Sequence, residues 1–255
     1  MIISVINHTD GKLKDEQILD AIRAINRQIS EDFEPYWSIG GMLRLEGRSG
    51  KQPNRQNPID MRGDAIIYIW DKSDSVKAMG YHDKNFHGIP YGFVFTSISE
   101  KMDESWTATL SHESLEMLLD PEVNLLVAGP HPVTRGQDVF HWYEACDAVQ
   151  SESYDIDGIA VSNFLLPLYF TGGDEFQGRN DFLGSTHDGK TLTSFGVNPG
   201  GYIGFFNPAL AKHETFFRKN DEKAKKRFEI KSGLGAARRS IRYKKLGKQQ
   251  LSQDI

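Results

Sequence analysis

The chain of 255 residues holds a single cysteine, Cys146, so no intrachain disulfide can form and a disulfide-stapled fold is excluded. No apolar run approaches the length of a membrane-spanning helix, so no membrane partner is expected. The start, Met1 to His8, lacks a basic segment followed by a long apolar one. A secretory signal is therefore not expected, and a cytoplasmic location is. There is no internal repeat and no low-complexity tract. A strong excess of one charge is also lacking, with a formal net charge of −5.

That small total conceals an uneven distribution. Arg218 to Gln250 carries 13 basic residues against Asp221, Glu222 and Glu229, a net of +10, and the remainder is −15. An acidic body with a basic, flexible tail over 218–255 is expected, and the tail suits docking to an acidic partner or to nucleic acid. Only Phe228 and Tyr243 supply aromatic rings between Lys219 and Ile255, so a base-stacking platform is not expected.

Along the chain, Ile2 to Ile6 reads as a first strand. Ile18, Ile22, Ile25, Ile29 and Phe33 recur at helical spacing and predict an amphipathic helix stopping near Glu34-Pro35. Trp37 to Leu45 reads as a second strand, Glu46 to Gly63 as a long loop, and Ala65 to Trp70 as a buried central strand. Gly80-Tyr81-His82-Asp83 and His87 to Pro90 read as a loop. Tyr91 to Ile98 reads as an edge strand, since Pro90 lacks an N–H. A helix follows from about Asp103 to Leu119, ended by Asp120-Pro121. A short helix is expected over Phe140 to Val149, with strands at Gly158 to Phe170 and Tyr202 to Phe206. Asp155-x-Asp157-Gly158 reads as a turn rather than a calcium loop.

The chemistry gathers at Ser111-His112-Glu113-Ser114-Leu115-Glu116-Met117-Leu118-Leu119-Asp120-Pro121. Residues four apart share a helix face, so His112 and Glu116 can address one point, while Glu113 lies about 100° round the helix. This matches the H-E-x-x-H zinc helix with Glu116 in place of the second histidine. Leu110, Leu115, Met117, Leu118 and Leu119 are too apolar for an exposed helix, and charges set in a buried one need partners or a metal. Asp120 lies about 12 Å along the axis from His112 and is expected to cap the helix rather than to join a metal site. Glu144-Ala145-Cys146-Asp147 supplies a third ligand. Glu144 is the first choice for the metal, Asp147 supports the His112 ring from behind, and Cys146 is a weaker candidate between two acids. His82 is a further candidate ligand, oriented by Asp83.

His112-Glu113-x-x-Glu116 followed by Glu144-x-x-Asp147 resembles the gluzincin division of the zincin metallopeptidases. Gly80 to Asp83, Ser111 to Pro121 and Glu144 to Asp147 are also similar to segments of uncharacterised bacterial and phage-associated proteins, over roughly Ile2 to Phe170. The resemblance implies an α+β, zincin-like fold: a mixed twisted sheet, an edge strand beside the active-site helix, and a loop-rich C-terminal region. The domain would span 1–217, with a sheet region over 1–120 and a C-terminal region over 121–217. The implied ligands are His112, Glu116 and Glu144, with Asp147 and Asp120 behind them. The implied metal is Zn²⁺, with Mn²⁺ or Ca²⁺ as alternatives because the set is rich in carboxylate. The implied activity is peptide hydrolysis, with Glu113 as general base and Tyr143, His82 or His141 stabilising the oxyanion. A peptide or protein would be the substrate. The alternative is a non-catalytic binding or assembly protein with a structural His/Glu cluster.

Overall fold

The computed structural model describes residues 1–51, 58–71, 79–172 and 178–232, the last five of them by backbone alone. The molecule is mixed α/β, with several sheets and few helices. In chain order the first half contains β1 (Ile2–His8), α1 (Asp15–Arg27), α2 (Glu34–Trp37), β2 (Met42–Glu46), β3 (Ala65–Trp70), β4 (Gly80–Lys84), β5 (Pro90–Phe95), α3 (Thr96–Lys101) and α4 (Trp106–Leu119). The second half contains β6 (Leu126–Pro130), β7 (Asp138–Trp142), β8 (Ser153–Ile156), β9 (Ile159–Ser162), β10 (Thr186–His187), β11 (Lys190–Thr191), β12 (Ile203–Asn207), β13 (Lys212–Phe216) and α5 (Glu222–Ser232).

The main sheet has the order β2-β1-β3-β5-β4. Its first four strands are parallel, and β4 runs antiparallel to β5 at the edge. Side chains alternate across a strand. Ile3, Val5, Ala65, Ile67 and Ile69 therefore face α1 and α4, in a core that continues into Ala145, Cys146, Phe164 and Ile203 of the second half. Ile6, Ile66, Tyr68, Tyr91, Phe93 and Phe95 form a separate aromatic-rich cluster on the opposite face. A four-stranded antiparallel sheet, β13-β12-β7-β6, and the β8–β9 hairpin complete the second half.

Several expectations are corrected. The edge strand is β4, the segment read as a loop, and β5 is interior. Turn-forming residues conceal β4 in the sequence, but an edge strand needs only one ladder and tolerates them. The first helix ends at Arg27, continues as a π-helical turn over Gln28–Phe33, and resumes as α2 with Pro35 in its first turn. Pro35 gives up one N–H at the junction where the π-helical bonding of the preceding turn, ending with the Glu34 N–H on the Ile29 carbonyl, passes into α2. Trp37 closes α2 and is not a strand residue. The helix expected over Phe140 to Val149 is strand β7, then a bend, then a short 3₁₀ turn over Asp147–Val149. Leu126–Pro130 covers one side of β7 and β12 the other, so the tertiary ladder overrides any local helical preference. The residues between β8 and β9 form the expected hairpin turn, with φ of 54° at Asp157 and 82° at Gly158.

The basic C-terminal stretch begins as an element of the folded body. In α5, Ala224 is fully buried and Arg227 is 3% exposed. Arg227 pairs with Glu104 and donates to Ser151 Oγ and the Gly200 carbonyl. The rest of the expected tail, 233–255, lies outside the described residues. No helix among the described residues is long and apolar enough to cross a membrane.

Candidate metal centre

Helix α4 supplies three of the candidate residues, and its surroundings explain why they are buried. Ser105 caps it by accepting from the Thr107 N–H at 3.2 Å. Twelve of its fourteen residues are buried, as expected of a helix enclosed on all sides. The main sheet lies on one side and the β8–β9 hairpin on the other. Two glycines let strands approach closely. A Cβ at Gly92 would lie 3.3 Å from Met117 Cε, and one at Gly80 would lie 2.8 Å from Glu113 Oε1. On the hairpin side, Ser111 Oγ donates to Gln28 Oε1 at 2.6 Å and accepts from the Ser162 N–H at 3.0 Å. Gln28 Nε2 closes the ring on the Ser162 carbonyl at 2.7 Å. This buried network fixes the rotation of α4 about its axis.

With α4 set, its polar residues converge with others from two directions. His82, on the edge strand, places Nδ1 3.3 Å from Glu113 Oε2 and 3.7 Å from Glu116 Oε2. His112 Nε2 lies 3.2 Å from Glu116 Oε2 and 3.5 Å from Asp147 Oδ1. The bend after β7 passes beneath the helix, and the Cys146 N–H donates to Glu116 Oε1 at 3.1 Å. Tyr202 supports the far side by donating its hydroxyl to Asp147 Oδ1 at 2.6 Å. Two groups of three have potential ligand atoms all within 4.8 Å of one another: His112, Glu116 and Cys146, and His82, Glu113 and Glu116. All of these residues are buried in those groups.

The electrostatics follow from this packing. Burial opposes a charged imidazole at His112, but the Glu116 carboxylate, aided by Asp147 and Glu113, outweighs it and raises His112 well above the ordinary histidine value. Burial, and then the Glu116 carboxylate, pushes the Cys146 thiol well above its usual range. A cavity of about 30 Å³ opens beside Glu113 and His112, walled by Gly80, Thr109, Ser162 and Arg227 among others.

No family model, no curated protein and no solved structure matches the chain. The reading of the site therefore rests on its geometry.

The other sequence candidates occupy distinct places. Asp120 caps the end of α4, accepting from the Asn124 and Leu125 N–H groups at 3.1 and 3.0 Å. Asp83, next to His82 in β4, accepts from the Lys84 N–H at 2.8 Å, and the alternation of a strand turns it to the opposite face of the sheet. Glu144 is absent from both ligand groups. It lines a second cavity with His141, Asp147, Tyr169 and Phe170. Tyr143 packs against Phe170 and Trp37, with ring centroids 4.3 and 5.7 Å apart, and burial raises its hydroxyl above the usual value. His141 packs against Phe195 with ring centroids 4.6 Å apart and planes tilted by 35°, and its Nε2 faces the Pro130 carbonyl at 2.9 Å. Tyr202 and the Ser111–Gln28–Ser162 network had no sequence signal, since each lies in a segment legible only as apolar strand or helix.

Proposed function

We propose that the protein is a metal-dependent hydrolase of zincin-like architecture that cleaves peptide bonds. The observation that carries the reading is the meeting of His112, Glu113 and Glu116 on one buried helix with His82 from an antiparallel edge strand and Cys146 from below. The residues fit a divalent cation. Glu113, Glu116 and Asp147 are 6%, 3% and 8% exposed, and ion pairs join them to His82 and His112. Buried carboxylates at this density need a counter-charge. His112, Glu116 and Cys146 would hold the ion, a donor set that suits Zn²⁺, with Mn²⁺ as the alternative where carboxylates dominate.

When bound, such an ion activates water and polarises a carbonyl. The remaining work falls to the chain. Glu113 takes a proton from the attacking water and passes it to the leaving amine. Asp147 holds His112 in place, and Tyr202 holds Asp147. β4 is the last strand of the main sheet on this side, so an extended peptide substrate would add beside it as a further strand near Glu113. His82, beside Glu113, is the candidate nearest to an oxyanion; Tyr143 and His141 belong to other clusters.

A second reading is a non-catalytic binding or assembly protein. It is favoured by the internal pairing of the cluster, in which Glu116 accepts from Cys146 and His112 lies between two carboxylates. In that reading the basic segment 218–250 contacts an acidic partner or nucleic acid. The two readings separate on Glu113→Gln assayed with the metal-loaded protein on a peptide library. The hydrolase reading expects the ion held by His112, Glu116 and Cys146 to persist and cleavage to fall at least about a hundredfold. Unchanged cleavage removes Glu113 from the role of base.

A further inference from the structure

We propose that the cluster contains two separable cation positions sharing Glu116: one formed by His112, Glu116 and Cys146, the other by His82, Glu113 and Glu116. The inference rests on the reading of the cluster as a metal centre.

The geometry divides in two. Each group of three spans no more than 4.8 Å between its potential ligand atoms, and Glu116 is the only residue common to both. Among the described residues, no such group contains both histidines. A single ion is therefore not within reach of both imidazoles as they stand, although each ring turns one nitrogen toward Glu116. The two oxygens of Glu116 have different surroundings. Oε1 faces the Cys146 backbone, while Oε2 lies between the two rings. A carboxylate so placed can bridge two ions through Oε2, with Oε1 held by the Cys146 N–H.

The donor types differ as well. The first position offers a thiolate, an imidazole and a carboxylate, a soft set suited to Zn²⁺. The second offers one imidazole and two carboxylates, a harder set that also accepts Mn²⁺. The His82 side chain is 4% exposed, and its Nε2 has no hydrogen-bond partner among the described residues. Nδ1, which faces Glu113 and Glu116, is the ring nitrogen that an ion in the second position would meet. Charge agrees with two ions. Glu113, Glu116, Asp147 and a Cys146 thiolate supply four negative charges, which two divalent ions match with both histidines neutral.

The consequence concerns Glu113. A carboxylate holding an ion in the second position is no longer free to accept a proton from water. The first ion supports hydrolysis and the second suppresses it, so activity should pass through a maximum as metal is added.

The test uses the full chain, stripped with chelator and titrated with Co²⁺ and with Zn²⁺. The readouts are ions bound per chain, thiolate-to-cobalt absorption and peptide cleavage. Wild type should bind two ions. His82→Gln should bind one and keep the thiolate absorption, and Cys146→Ala should bind one and lose it. Cleavage should rise through the first equivalent and fall at least about a hundredfold at the second. Circular dichroism of the metal-free variants checks folding, and the wild-type stoichiometry stands even if a variant fails to fold. One ion per chain in wild type overturns the second position and leaves the proposed function intact. Loss of both ions in His82→Gln overturns the separability. Cleavage that stays level past the first equivalent overturns the claim on Glu113. Absence of any bound ion overturns this inference and the proposed function together.

Discussion

Replacing Gly80 by alanine tests the packing that brings the edge strand onto the motif helix. The added Cβ would lie 2.8 Å from Glu113 Oε1, 2.8 Å from Thr109 Cγ2 and 2.9 Å from Glu113 Cγ. Ordinary carbon contacts need about 3.5–4.0 Å, so the methyl intrudes by about 1 Å. The Glu113 carboxylate can swing only by leaving His82, which it meets at 3.3 Å. Thr109 is β-branched and stiff at χ1, so its methyl does not yield. The strand must move outward instead. Overpacking of this kind costs about 1–3 kcal/mol. For a chain of this size each 1 kcal/mol lowers Tm by about 2–4 °C, which gives a fall of about 2–12 °C. The assay is thermal unfolding followed by circular dichroism in the presence of chelator. Gly47→Ala is the control, because a Cβ there meets nothing within 4 Å. Displacing Glu113 should also weaken binding of the second ion more than that of the first. A Gly80→Ala protein with the Tm of Gly47→Ala and unchanged metal binding would refute the proposed approach of β4 to α4.

Three further outcomes are expected. Ser111→Ala leaves Gln28 Oε1 and the Ser162 N–H buried without their shared partner and should lower stability by about 1–3 kcal/mol in urea unfolding; a loss below about 0.5 kcal/mol contradicts a rotation-fixing role for the network. Tyr202→Phe removes the hydroxyl that holds Asp147 and should weaken binding of the first ion by about 10–100-fold, with the second ion less affected; equal weakening of both would show a general unfolding effect. Burial, only partly offset by the Pro130 carbonyl, lowers the His141 pKa. The unfolded chain therefore takes up a proton near the ordinary histidine value of about 6.5 while the folded chain resists it, so stability falls as pH drops below that point. His141→Phe should lose less stability than wild type between pH 7.5 and 5.5, measured with chelator present, and an equal or larger loss would contradict the burial argument.

The legibility of this chain in its sequence tracks how local each determinant is. The spacing within α4 is local, so the shared face of His112 and Glu116 and the capping role of Asp120 follow from helical geometry alone. The central strand at Ala65–Trp70 is legible because burial on both faces leaves a continuous apolar run. The edge strand is not, because Gly80 and the turn-forming residues near it reflect the close approach to Glu113 and a single ladder. The Glu144 to Asp147 segment reads as the wrong backbone. On a helix, Glu144 and Asp147 would share a face. On the bend after β7, Cys146 meets Glu116 through its backbone, and Glu144 turns toward a second cavity. His82 lies 31 residues from Glu113 in the chain. Its arrival beside Glu113 and Glu116 depends on the β4–β5 pairing, which no local pattern reveals. Arg227 reads as one of a solvated basic stretch, yet it is buried against Glu104, a pairing of residues distant in sequence.

The most direct test of the metal-centre reading is elemental analysis of the full chain purified without chelators, beside the His112→Ala, Glu116→Ala double variant. Wild type should carry at least one divalent ion per chain, and the variant, which lacks the Glu116 common to both positions, should carry none. Wild-type protein carrying no stoichiometric divalent metal, and binding none on addition, would contradict that reading and leave the His/Glu cluster as a buried structural network.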